Sequence, residues 1–177
     1  GKRLAQDLEK NYEDLNLIGV HLGGGISVAA HNQGKLIDAN NALDGDGPYS
    51  PQRAGTLPAD ALINLCFSGK FGRDELYRLI TSKSGLMAYL GTQDARDVET
   101  RIAAGDHDAR GAYEGMAYQV AKYVGAMATV LKGNIDAIFF TGGIAYSTLF
   151  TSWLTERVNF LAPVYVYPGE DELRALA

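Results

Sequence analysis

Apolar residues recur along this chain with two different periods, and the switches between the periods mark its elements. Residues 2–14 set Leu4, Leu8 and Tyr12 four apart among polar neighbours, which predicts an amphipathic helix. Three short apolar and β-branched runs follow, Leu17–Leu22, Ile26–His31 and Lys35–Asn40, and predict a β-meander. Gly23-Gly24-Gly25 joins the first two runs, and Asn32-Gln33-Gly34 closes the second pair as a tight hairpin. Residues 40–59 then lose all periodicity and are rich in Gly and Pro. An irregular segment of that length inside a compact domain is either functional or disordered.

Helical spacing resumes at Ala59–Phe67, stopped by Ser68-Gly69, and again at Asp74–Thr81 with Leu76, Leu79 and Ile80 on one face. A short helical turn is expected within residues 84–92, and a helix over Asp94–Ala104. The longest helix is predicted over residues 106–132. Its stripe of Tyr113, Met116, Val120, Val124 and Met127 is wide enough for a core position, and its Ala and Gly residues admit a close neighbour. Ile135–Thr141 reads as a buried central strand running into Gly142-Gly143 and then a helix to Phe160. A strand over Ala162–Pro168 and a closing helix from Gly169 complete the order. A meander, then helices, then strand–helix–strand–helix predicts an α/β fold with a mixed sheet.

Composition narrows the function classes. The 177 residues are 46% hydrophobic, enough for a substantial core without disulfide staples. A net charge of -5, with no basic run, argues against nucleic acid as a partner. No apolar run reaches the length of a membrane span, so a membrane partner is not expected either. The single cysteine, Cys66, has no disulfide partner and no zinc-site spacing, which predicts a reducing, cytoplasmic setting; its neighbours Leu65 and Phe67 predict a core position. The run Asp44-Gly45-Asp46-Gly47 lacks the closing glutamate of a calcium loop and meets Pro48. The chain starts at Gly1 rather than Met, and helical periodicity is still running at Ala177. The expectation is a piece of a longer protein.

Two predicted strands end in glycine loops, His21-Leu22-Gly23-Gly24-Gly25 and Thr141-Gly142-Gly143. Backbone without Cβ atoms lets N–H groups approach an anion, and a following helix N-terminus favours negative charge. The same glycines also fit a wide turn that binds nothing. Neither loop is a Walker A or a dinucleotide fingerprint.

Four blocks together carry a resemblance. They are His21–Gly25; Asn40-Asn41-Ala42-Leu43-Asp44-Gly45-Asp46-Gly47-Pro48 through Arg53-Ala54-Gly55-Thr56-Leu57-Pro58; Ser84-Gly85-Leu86 through Asp94-Ala95-Arg96-Asp97-Val98-Glu99; and Thr141-Gly142-Gly143-Ile144-Ala145. They resemble the butyrate kinase branch of the acetate kinase family, in the actin, sugar kinase and Hsp70 ATPase superfamily. Three glycines at 23–25 and Ala145-Tyr146 in place of Gly-Glu favour the butyrate branch over the acetate one.

The resemblance implies a ribonuclease H-like, actin-like ATPase fold. Residues 1–177 would be the C-terminal nucleotide-binding domain of a two-domain kinase, with the N-terminal domain absent and half an active site present. It implies ATP and Mg2+, transfer of phosphate to a short-chain carboxylate such as butyrate or a branched relative, and a homodimer. His21 and Gly23, Gly24 and Gly25 would meet the phosphates, with Arg53 on the transferring group and His21 assisting. Asp94, Arg96, Gly142, Gly143 and Ile144 would meet the nucleoside, and Asp171 or Glu172 would approach the metal. Plainer roles compete. Arg53 could pair with Asp44 or Asp46, Asp94 and Arg96 could be a helix cap and a surface ion pair, and residues 170–172 could complement a helix N-terminus. An alternative is a dimerisation or nucleotide-binding module without activity of its own, using the helix at 106–132 and an exposed Trp153.

Overall fold

β1 (Asn16–Leu22) is apolar on both faces, so it has to lie at the centre of a sheet. Leu17 points to one side and Ile18, Val20 and Leu22 to the other, all almost fully buried. β2 (Ile26–Asn32) pairs antiparallel with β1, and β3 (Lys35–Ala39) antiparallel with β2. On the other side β4 (Ala137–Thr141) runs parallel to β1, and β5 (Val164–Val166) parallel to β4. The strand order is β3-β2-β1-β4-β5, a mixed sheet whose meander occupies one half. The structure, a computed structural model, describes residues 1–169.

Seven α-helices lie among the described residues: α1 (Lys2–Asp7), α2 (Ala59–Cys66), α3 (Arg73–Ser82), α4 (Leu86–Leu90), α5 (Ala95–Ala103), α6 (His107–Val130) and α7 (Thr148–Val158). The stripe on α6 meets the sheet as its spacing predicts. Met116, Ala117, Val120 and Val124 pack with Ile18, Val20, Val28, Ile138 and Phe140 in one continuous core, joined by Phe150 and Leu154 of α7. Burying each of the larger side chains stabilises the domain by about 1.5–3 kcal/mol. The opposite face is thinner: Leu4 and Ala5 of α1 cover Leu17, Ala137 and Phe139.

Three expectations change on contact with the structure. The helix expected over 2–14 stops at Asp7; Glu9 turns left-handed at φ 54, and only a 3-10 turn remains at Tyr12–Asp14. A tertiary contact wins there, because the Tyr12 hydroxyl sits 2.7 Å from Nδ1 of His31 on β2. Cys66 is exposed, since α2 buries none of its residues against the core. Trp153 is half-buried rather than exposed, edge-on to Tyr113 with centroids 6.1 Å apart and with the Arg110 guanidinium 5.4 Å above its ring. The closing helix and the acids Asp171 and Glu172 lie outside the described residues.

Candidate functional site

Parallel pairing of β1 with β4 sends both glycine loops out of the same end of the sheet. His21 and Thr141 are register partners across that pair, and His21 Nδ1 lies 3.3 Å from Thr141 Oγ1. Beyond them the chain turns at Gly23–Gly25, closed by a Gly23 N–H to Gly25 carbonyl bond of 3.1 Å, with Gly24 exposed at the tip. Past β4, Gly142 adopts φ 91 and presses against β1, where a Cβ would lie 2.5 Å from the Leu22 carbonyl oxygen. Only glycine fits there. A 3-10 turn over Gly143–Tyr146 leads into α7, whose first turn is capped by Ser147 Oγ accepting from the Phe150 N–H at 2.9 Å.

The irregular segment expected over 40–59 is ordered by its own polar groups. Asn40 is buried; its Oδ1 accepts from the Val28 N–H at 2.6 Å, while its Nδ2 donates to the Ile26 and Asp46 carbonyls at 3.1 and 2.9 Å. Asn40 thus extends the edge of β2 with a side chain and fixes the loop's departure. Ser50, also buried, spans the two loops. Its Oγ donates to the Gly24 carbonyl at 2.7 Å and accepts from the Arg53 N–H at 3.2 Å. The following turn is held to α4 by the Leu86 N–H on the Ser50 carbonyl at 3.2 Å and the Met87 N–H on the Pro51 carbonyl at 2.9 Å.

Arg53 lies on the glycine loop. A Cβ on Gly25 would come within 1.9 Å of Arg53 Nη1, so the close approach depends on glycine there. Nη1 donates to the Ala42 carbonyl at 3.0 Å, and Nε is buried without a hydrogen-bond partner. Among the described residues Arg53 forms no ion pair with Asp44 or Asp46. Asp44 takes the Asn41 side-chain amide at 2.7 Å, and Asp46 takes the Asn41 N–H and the Thr56 hydroxyl, both at 3.1 Å.

At the start of α5, Asp94 accepts from the Arg96 N–H at 2.9 Å and grips the Arg96 guanidinium, with Nη2 to Oδ2 at 2.6 Å. The Arg96 side-chain hydrogen bonds, then its backbone N–H, hold the Asp94 carboxyl down at about 2. The pair is exposed, so its Coulomb energy is strongly screened by solvent. The plainer reading, a helix cap with a surface ion pair, is what the isolated geometry displays; the position of the pair beside a cavity is a separate fact.

That cavity has a volume of about 770 Å³, in the range of small-molecule sites. It brings together Gly23, Gly24, Asp94, Arg96, Gly143 and Ile144 of the residues singled out in the sequence. His21, Gly25, Arg53 and Gly142 do not line it. His21 and Arg53 adjoin its glycine wall, His21 Nε2 lying 2.9 Å from where a Gly23 Cβ would be. Pro51, Gln52, Gln93, Ala95, Glu99, Tyr146 and Ser147 also line the cavity and were not assigned a site role from sequence. Glu99 stood inside a motif block, so its proximity to Asp94 and Arg96 on one helix was the available signal. The lining combines open glycine backbone, beside which Arg53 and His21 stand, with the Asp94 and Glu99 carboxylates, the Arg96 guanidinium and the exposed Tyr146 ring. That mixture suits a ligand with an anionic part and a planar part. Its size and its glycine wall fit a nucleoside triphosphate.

The Acetokinase family description matches residues 1–161. The chain is 53% identical to butyrate kinase 2 of Clostridium acetobutylicum over 176 residues, 99% of this chain and 49% of that protein. It spans about half the length of the curated relatives it matches. The acetate kinase of Porphyromonas gingivalis superposes with a TM-score of 0.86 at 25% identity, over 96% of this chain and 49% of that one. A propionate kinase of Francisella tularensis gives 0.86 at 25% identity, over 97% and 50%.

Proposed function

The chain belongs to the acetokinase family, with the ribonuclease H-like, actin-like fold, and from that premise we propose that it forms the nucleotide-side half of a carboxylate kinase. In a protein of its relatives' length, residues 1–177 would be the C-terminal domain, and an N-terminal domain would close the cleft. The reaction is transfer of the γ-phosphoryl of ATP to a short-chain carboxylate, butyrate or a branched relative, giving an acyl phosphate and ADP. Identity to a butyrate kinase supports that choice of acid. The carboxylate oxygen bonds to phosphorus as the bond to the ADP oxygen breaks. Catalysis then rests on positioning and charge neutralisation.

One observation carries the reading: four segments far apart in sequence converge on one cavity, at 23–24, 51–52, 93–99 and 143–147. Gly24 offers open backbone to a phosphate. Arg53, with a buried Nε lacking a partner, is the cation assigned to the transferring phosphoryl, because an anionic oxygen satisfies such a group best. His21, beside Gly23, assists at the phosphates. Asp94, Arg96, Gly143 and Ile144 flank the nucleoside. Mg2+ would accompany ATP and offset its charge. No group of three or more His, Cys, Asp or Glu placed to hold a metal occurs among the described residues, and Asp171 and Glu172 lie outside them.

The test uses a protein of the relatives' full length, trapping acyl phosphate as hydroxamate with butyrate and ATP. Arg53→Ala is expected to lower kcat by about 10²–10³, the usual cost of removing one group that stabilises transition-state charge. Absence of acyl phosphate in the unsubstituted protein would remove the kinase reading, and unchanged turnover in Arg53→Ala would remove the role given to Arg53.

Homodimerisation belongs to the same proposal, as does a cytoplasmic setting, which the lone cysteine supports. α6 buries one face against the core and leaves Tyr118 exposed on the other, and Trp153 is half-buried beside it, so both remain candidates for that contact. Exposed apolar side chains also lie on and beside α2 and α3, at Ile63, Phe67 and Tyr77. A monomer in sedimentation at micromolar concentration would count against the dimer.

A further inference from the structure

Glu99 lines the cavity, and phosphoryl transfer gives it no task. It lies one turn beyond Ala95 on α5, so the two share a face, and the small Ala95 methyl leaves the carboxyl reachable from the cavity. Behind it stands Tyr113 of α6, fully buried, whose hydroxyl donates to Glu99 Oε1 at 3.3 Å. The Tyr113 ring is wedged between Phe150 and Trp153, with centroids at 4.9 and 6.1 Å, so that hydroxyl arrives from a fixed direction. The Ser147 hydroxyl, which accepts from the Phe150 N–H in capping α7, lies on the Tyr113 hydroxyl. Among the described residues no donor bonds Glu99 Oε2.

A half-buried carboxyl oriented from behind and under-satisfied in front selects for a hydrogen-bond donor. Phosphate oxygens are acceptors, so this carboxylate repels them and favours the donor-bearing part of a ligand. The exposed ring of Tyr146 and the side chain of Ile144 border the same space and give a planar base an apolar edge. We propose that Glu99 reads the nucleobase by accepting a hydrogen bond from its exocyclic amine, so that a 6-amino purine is preferred over a 6-oxo purine. This rests on the nucleotide reading above. Tyr113 acts through Glu99 as a positioning residue.

The experiment is titration calorimetry of ATP and ITP with the full-length protein, unsubstituted and as Glu99→Gln. These nucleotides differ at position 6, a donor in adenine and an acceptor in hypoxanthine. The unsubstituted protein is expected to prefer ATP by about tenfold or more, the scale of one hydrogen bond to a charged group. Glu99→Gln is expected to shift that ratio by at least about tenfold towards ITP, since the amide presents an N–H to the 6-oxo group. Tyr113→Phe keeps the packing and frees the carboxyl, and is expected to erode the ATP preference a few-fold while leaving ITP affinity unchanged. It reports on the same contact if the Gln variant fails to fold. An ATP:ITP ratio unmoved by both variants, with both nucleotides still bound, would overturn the role of Glu99 alone. Failure of the unsubstituted protein to bind either nucleotide would overturn the nucleotide reading, and this inference with it.

Discussion

The segment at 40–58 and the α2–α3 hairpin follow one another in the chain and invert the usual relation between regularity and attachment. The first is almost without regular structure, yet Asn40, Tyr49 and Ser50 are buried within it and its polar groups bond to β2, the glycine loop, α4 and α6. The second is two helices, of which α2 buries nothing and α3 buries only Leu76. Backbone hydrogen bonds inside a helix satisfy that helix alone. Side-chain bonds from a loop to several elements make those elements depend on one another. The loop is the structural keystone on this comparison, and the hairpin is an appendage.

The comparison can be broken at its strongest point first. Asn40→Ala removes three hydrogen bonds, two of them buried, and leaves the Val28 N–H and Ile26 carbonyl to find other partners. Urea unfolding is expected to show a loss of about 2–4 kcal/mol, given about 1–3 kcal/mol for each unsatisfied buried group. A loss comparable to that of a surface substitution would show that the loop is not holding the sheet edge. The cap of α5 gives an intermediate case. Asp94 is held down at about 2 in the folded chain, below its ordinary 3.8. Its contribution to stability is therefore fully present above pH 3.8 and lost as pH falls through about 2. The protection of the Arg96 amide relative to a free amide, followed by hydrogen exchange from pH 5 to pH 2, is expected to fall only in the lower part of that range. The smallest effect belongs to the hairpin. Phe67, 86% exposed, can become Ser with a change within about 0.5 kcal/mol, as for other surface positions. A larger loss on denaturation of the monomer would give α2 an attachment that the structure does not show.

The same contrast explains what could be read from sequence. The strands at 17–22, 26–31 and 35–40 and the long helix were legible because period reports burial on one face. Both glycine loops were legible because they punctuate that period. Cys66 was misplaced because local apolarity predicts burial only when an element has something to pack on, and α2 has little. The helix over 2–14 was overextended because the bond from Tyr12 to His31 joins residues far apart in sequence. Pro51, Gln52, Tyr146 and Ser147 reach the cavity through loop convergence, which no spacing within a single segment encodes.

Both glycine loops spring from adjacent central strands at the same end of the sheet, and Gly142 rests on Leu22 between them. A ligand held by both loops therefore fastens together the strand pair on which the whole core is laid. Occupancy and unfolding then become one coupled equilibrium. At a ligand concentration of 100 times its dissociation constant the coupling adds about 2.7 kcal/mol to the stability of the entire sheet. A ligand there would act as a rivet whose strength is set by its own concentration.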